Sequence, residues 1–206
     1  MFLLELLGRR WRLLATDPTA DAKKLALEVT AKLESIERVR LFMVEDLEKT
    51  IGLASTPRGA PNFMLALALT AYTEYWGRLV TGIPSGDGDA CFTAFFERLG
   101  NCYQALINDP NLVRMNQGGG KSHEVYWRIR GGLAHSYLIE SNSVINLGRG
   151  SCGVEYDQSR GKYTFNILSY FDDFKNAIDK FLIELESGKA DWSKFENAIK
   201  NKPELI

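Results

Sequence analysis

Between Asp21 and Ile51, apolar residues recur at steps of three and four (Val29, Leu33, Ile36, Val39, Met43 and Leu47), with charged residues between them. That period is one face of an α-helix and predicts a long helix with a single buried stripe. Residues 3–15 also have helical composition, and Asp17-Pro18 supplies a stop and a restart. Beyond a connector at 52–62, rich in Gly and Pro, Phe63 to Val80 is apolar nearly all round. Such a helix belongs in the centre of a bundle or at a subunit interface. A second connector, 82–89, precedes a further helical pattern from Cys91 to Ile107, with Phe92, Phe95, Phe96, Leu99, Tyr103 and Leu106 on its apolar side.

The middle of the chain is more broken. A short helix is expected over Asn111 to Met115, followed by a loop at Gln117-Gly118-Gly119-Gly120-Lys121. Ser122 is then placed to cap a helix with Glu124 in its first turn, reaching Ala134 or His135, and His123 would face solvent there. Past it the period changes. Tyr163, Phe165 and Ile167 alternate with Thr164 and Asn166, which reads as strand and predicts a two- or three-stranded antiparallel ribbon over residues 143–168. Ser169 and Asp172 have capping-box spacing ahead of an amphipathic helix on Phe171, Phe174, Ile178, Leu182 and Leu185. Gly188 ends it, and Asp191 or Ser193 caps a last helix to about Asn201. The pattern predicts an all-α, single-domain helical bundle over residues 1–206, with a small antiparallel β-ribbon inserted at 143–168.

Composition narrows the function classes. A chain of 206 residues buries roughly 70% of its unfolded surface and needs neither metal nor disulfide to hold a core. The formal net charge of −1 gives no general attraction to nucleic acid or to an anionic membrane, so any RNA contact must come from a local basic patch. Cys91, Cys102 and Cys152 form neither a CxxC pair nor an even framework. They imply a reducing compartment and no structural bridge. Glu5 interrupts the apolar N-terminus and Arg9, Arg10 and Arg12 follow it, the reverse of a signal peptide. The expectation is a cytoplasmic protein with no membrane association. The histidines and cysteines match no metal site, and no cofactor is expected. The Gly-rich run before Lys121-Ser122 lacks the spacing of a phosphate-binding loop, because position 115 is Met.

The segment Arg128-Ile129-Arg130-Gly131-Gly132-Leu133-Ala134-His135-Ser136-Tyr137 holds the candidate chemistry. An arginine holds phosphate through charge and paired N–H donors, and a histidine moves a proton near neutral pH. These are the groups that metal-independent RNA cleavage needs. The ribose 2′-hydroxyl attacks the adjacent phosphate, His135 transfers the proton, and Arg130 stabilises charge on the phosphoryl oxygens. On an ideal α-helix, five residues advance about 500°, leaving Arg130 and His135 about 140° apart.

The segment resembles the Rx4–6H motif of HEPN domains, a family of helical bundles with many dimeric, metal-independent ribonucleases in toxin–antitoxin and defence systems. Arg130 and His135 match with four residues between them, and Arg128 matches at the six-residue spacing. Tyr137 completes RxxxxHxY, the form of HEPN toxins paired with nucleotidyltransferase antitoxins, in which the tyrosine is modified with AMP. Gly131 stands where family members usually carry Asn or another polar residue. The resemblance implies Arg130 and His135 as catalytic residues, Tyr137 as a positioning or modification site, and Arg128 or Lys121 as RNA contacts. It also implies a homodimer with the site near its axis, RNA as substrate and a nucleotidyltransferase-type antitoxin as partner. Purely structural roles are the alternative, in a non-catalytic helical binding or regulatory homodimer. His135 would then bond a free carbonyl at a helix end, Arg130 would pair with Glu124 or another carboxylate, and Tyr137 would pack in a core.

Overall fold

A computed structural model describes residues 20–54, 60–115, 121–133 and 143–199. The structure is mostly helical. The first helix described, α1 (Ala20–Leu53), buries Leu33, Ile36, Met43 and Leu47 of the predicted stripe, with Val44 buried beside them and Val39 partly buried. The next, α2 (Ala60–Thr81), is the centre of the molecule. Leu65, Ala66, Leu69, Trp76 and Leu79 are buried on it, and α1 and most later helices pack on it. Its buried hydroxyls turn back onto the helix. Thr70 donates to the Ala66 carbonyl at 2.9 Å, and Thr73 donates to the Leu69 carbonyl at 2.8 Å. A core helix can hold polar residues on these terms, with each hydroxyl hydrogen-bonded to its own backbone.

The apolar run 91–107 is not one helix. It divides into α3 (Gly88–Phe96), a 3-10 turn (Glu97–Leu99) and α4 (Asn101–Ile107), with the break at Gly100. The rings on either side of the break meet edge to face, Phe96 against Tyr103 at 4.9 Å. The short helix expected over 111–115 is also absent. Pro110–Leu112 forms a 3-10 turn, and Val113–Met115 is strand β1, antiparallel to β2 (Lys121–His123). Ser122 therefore lies in a strand and does not cap a helix.

The predicted ribbon exists, with one correction. Strands β3 (Val144–Asn146), β4 (Val154–Asp157) and β5 (Lys162–Asn166) form a sheet in the order β3-β5-β4. The β4–β5 hairpin is antiparallel, but β3 pairs with β5 in parallel, Val144 opposite Thr164. Alternation marks a strand without giving its direction. Here the connection after β3 carries the chain past β5 to its far edge. The capping-box reading is overturned as well. Asn166 opens the helix that follows the sheet (Ile167–Glu186) without a side-chain cap. Ser169 instead exchanges hydrogen bonds with the Gly150 backbone at 3.1 Å, and Asp172 pairs with Arg149. The would-be box ties the helix to the loop ahead of β4. The last helix described, Trp192–Ile199, is preceded by Asp191, whose side chain accepts from the Ser193 N–H at 2.8 Å.

The buried apolar side chains form one cluster, rich in aromatic rings. Trp76 meets Phe95 and Phe181 at 6.1 and 6.3 Å, and Tyr170 stacks on Phe165 at 4.7 Å. Burial pushes the Tyr103 and Tyr170 phenols well above the ordinary range. They stay neutral hydrogen-bonding groups, Tyr103 donating to Asp173 at 2.6 Å and Tyr170 bonded to Thr73 at 2.8 Å. Among the described residues, no helix is long and apolar enough to cross a membrane.

The expectation of unpaired cysteines is corrected. Cys102 on α4 and Cys152 ahead of β4 form a disulfide across a sequence separation of 50, and Cys91 is free and buried. No local motif announces the pair, because tertiary packing brings the two segments together: the Gly153 N–H donates to the Tyr103 hydroxyl at 3.1 Å beside it. In the chain-entropy account, closing a loop of this length stabilises the fold by about 4 kcal/mol. Thiol titration of the unreduced protein in denaturant should therefore find one reactive thiol per chain, and reduction should lower stability to urea by about 2–4 kcal/mol. Three thiols in the unreduced protein would remove the bridge from this account.

Candidate functional site

The site segment begins where β2 ends. His123 is only 6% exposed, contrary to the expected solvent-facing position. Its Nδ1 accepts the Val125 N–H at 3.2 Å, so it satisfies a free donor at the start of the helix over 124–133. That bond puts the remaining proton on Nε2, which is buried with no hydrogen-bond partner among the described residues. Burial pulls the His123 pKa down. The Leu106 carbonyl, Asp89, Glu124 and the Ile107 carbonyl work in the opposite direction.

Within this helix, Tyr126–Gly131 is a π-turn. Its i→i+5 bonding departs from ideal α-helical geometry through Gly131. Val125, Ile129 and Leu133 anchor the segment in the core, whereas Trp127 is 42% exposed.

The two arginines of the motif find different partners. Arg128 donates from Nε to Glu124 Oε1 at 2.6 Å, one turn back on its own helix. Arg130 reaches across to α2, where its Nε lies 2.8 Å from Glu74 Oε2. Those two atoms are close but not aligned for a hydrogen bond, so the contact is an ion pair only. The Arg130 guanidinium also lies over the Tyr126 ring, 5.8 Å from its centre.

Glu74 is 8% exposed, a buried carboxylate on the central helix. An isolated buried carboxylate is strongly unfavourable, and three features offset its cost. Arg78 donates from Nη2 to Glu74 Oε1 at 2.8 Å, and its Nη1 holds the Gly86 carbonyl at 3.0 Å. Arg130 supplies a second positive charge. The start of α3 lies alongside, and a Cβ built on Gly88 would fall 2.8 Å from Glu74 Oε1 and 2.6 Å from the Tyr126 hydroxyl. Only glycine there lets both groups approach the positive end of that helix. Burial raises the Tyr126 pKa, with Glu74 adding to the rise and Arg130 opposing it.

The structure thus joins Arg130 to Glu74, Arg78 and Tyr126, and Arg128 to Glu124. His135 and Tyr137 lie outside the described residues, as does the Lys121 side chain, whose backbone is in β2. Glu74 is the site residue that the sequence reading missed. Its signal was there: a single carboxylate in an apolar stretch of a central helix requires a buried cation, and Arg78 one turn later is half of the answer. Among the described residues, no group of three or more His, Cys, Asp or Glu side chains is arranged to hold a metal ion. No protein-family model, curated protein or solved structure matches the chain.

The His123 geometry has a consequence for pH. A histidine whose folded-state pKa lies below its unfolded value of 6.5 stabilises the fold above pH 6.5, and that contribution is lost as pH falls through the folded value. Melting temperature should fall on acidification below pH 6.5, and the slope should flatten in His123→Asn, which keeps an acceptor near Val125 but does not titrate. The same slope in both proteins would assign the acid sensitivity to other groups.

Proposed function

We propose that this protein is a metal-independent endoribonuclease of HEPN type, acting as a homodimer on single-stranded or loop RNA. The observation that carries the reading is the setting of Arg130. It lies on a π-turn, a geometry that recurs at functional sites. It is held at Nε by a carboxylate from another helix, and four residues separate it from His135 in the motif. His135 takes the proton of the ribose 2′-hydroxyl or protonates the departing oxygen, and Arg130 stabilises the charge that develops on the phosphoryl oxygens. Arg128 or Lys121 holds a neighbouring phosphate, supplying the local charge that the chain as a whole lacks. Tyr137 positions the histidine or accepts AMP from a nucleotidyltransferase-type antitoxin, which switches activity off. On this reading the fold is a HEPN-like bundle in one domain, the setting is a toxin or defence system, and the reaction needs no cofactor.

One observation favours a second reading. Arg130 is already ion-paired with a buried carboxylate, as a purely structural arginine would be. In that case the chain is a non-catalytic binding or regulatory homodimer.

Incubation of the purified protein with mixed RNA in excess EDTA separates the two. The ribonuclease reading expects cleavage by the wild type and a loss of about 100-fold or more in each of His135→Ala and Arg130→Ala, with the dimer retained. Light scattering should give twice the 23.2 kDa chain mass. Equal cleavage by all three proteins would point to a different site or a contaminant. No cleavage by a wild type whose Tyr137 is shown by mass spectrometry to be unmodified would select the binding reading.

A further inference from the structure

We infer that Glu74 is a positioning residue for this reaction: it holds the Arg130 guanidinium by its Nε side and aims the Nη1–Nη2 edge at the phosphate. The inference rests on the ribonuclease reading and adds to it a group from α2.

Three observations support it. First, Glu74 is anchored independently of Arg130. Its firm hydrogen bond is the one from Arg78 at 2.8 Å, Arg78 is itself tied to the Gly86 carbonyl, and the carboxylate rests against the start of α3. Arg130 meets the same carboxylate at 2.8 Å without hydrogen-bond alignment. Glu74 is therefore the reference point, and Arg130 is the group being placed.

Second, the contact uses the right part of the guanidinium. Arginine binds a phosphate best through two parallel N–H groups. A carboxylate across Nη1 and Nη2 would occupy that fork and block it. Glu74 meets Nε, and among the described residues the other contact of Arg130 is the face of the Tyr126 ring. The ring and the carboxylate together restrict the plane of the guanidinium, and the side chain keeps 24% exposure.

Third, the burial of Glu74 suits this task. A carboxylate in a nearly dry site acts on a nearby cation with little screening, and it does not reorganise when the substrate arrives. A surface carboxylate would constrain a long side chain only weakly.

The test is a double-mutant cycle on turnover of a single-stranded RNA oligonucleotide carrying a fluorophore and a quencher, in excess EDTA. The proteins are wild type, Glu74→Gln, Arg130→Ala and the double variant, each checked for helicity and dimer mass. If Glu74 acts through Arg130, Glu74→Gln lowers kcat by about 10-fold or more with KM changed much less, since misplacement by about 1 Å can cost 100-fold. The double variant is then no slower than Arg130→Ala alone. Glu74→Gln activity equal to or above wild type would overturn the proposal, as would losses that multiply in the double variant. Where Glu74→Gln does not fold, Glu74→Asp carries the test. It keeps the charge and withdraws the carboxylate by one methylene, so a fall in kcat in the folded protein supports positioning and an unchanged kcat overturns it. A wild type that does not cleave overturns the ribonuclease reading and this inference with it, and that outcome is distinct from active wild type with indifferent Glu74 variants.

Discussion

The approach of α2 to α3 at Gly77 governs the geometry of the rest of the molecule. A Cβ at Gly77 would lie 1.7 Å from the Cys91 carbonyl oxygen, so the two helices touch backbone to backbone. Any larger residue would force them apart and cost about 1–3 kcal/mol or more in overpacking. The close approach has two effects. It seats Trp76 against Phe95, and burying a ring of that size is among the largest single contributions to a core. It also brings residue 74, one turn back along α2, to the first residue of α3. The electrostatics of the candidate site therefore follow from a packing constraint in the core.

That constraint places a charge where apolar packing would have been simpler. The buried threonines of the same helix are neutral and satisfied locally, Thr70 by the Ala66 carbonyl and Thr73 by the Leu69 carbonyl. Glu74 differs because its partners come from α2 itself and from the helix over 124–133, so its ion pairing depends on tertiary structure. Replacing a buried ion pair with apolar residues often leaves a protein as stable or makes it more so. Stability alone therefore gives little reason for a carboxylate at position 74, and the geometry of Arg130 gives one.

Local period was enough to read the long helices. The α1 stripe, the all-round apolar α2, the helix after the sheet and the existence of strands near 144–166 were all legible, because each depends on which faces are buried. What escaped the sequence depends on partners far along the chain. The parallel pairing of β3 with β5, the Cys102–Cys152 bridge and the burial of His123 are set by contacts between segments that carry no mark of one another. The capping-box spacing of Ser169 and Asp172 misled for the same reason, since both side chains turn to the Gly148–Gly150 loop. At the site, the spacing marked the arginines, while Glu74 showed only as a carboxylate in an apolar stretch, with no sign of which arginine it meets.

That sorting bears on how two arginines only two positions apart come to differ. Arg128 pairs with Glu124 at i,i+4, one turn back along its own helix. The partner of Arg130 belongs to another helix and exists only once α2, α3 and the π-turn have assembled. Its orientation is a property of the whole fold. Electrostatic stabilisation of a transition state requires donors already in place before the charge develops, because reorganising them during the reaction forfeits the gain. By that criterion the two positions are not interchangeable, although both satisfy the spacing to His135. Arg130 is oriented by a partner from another helix, and Arg128 by one on its own.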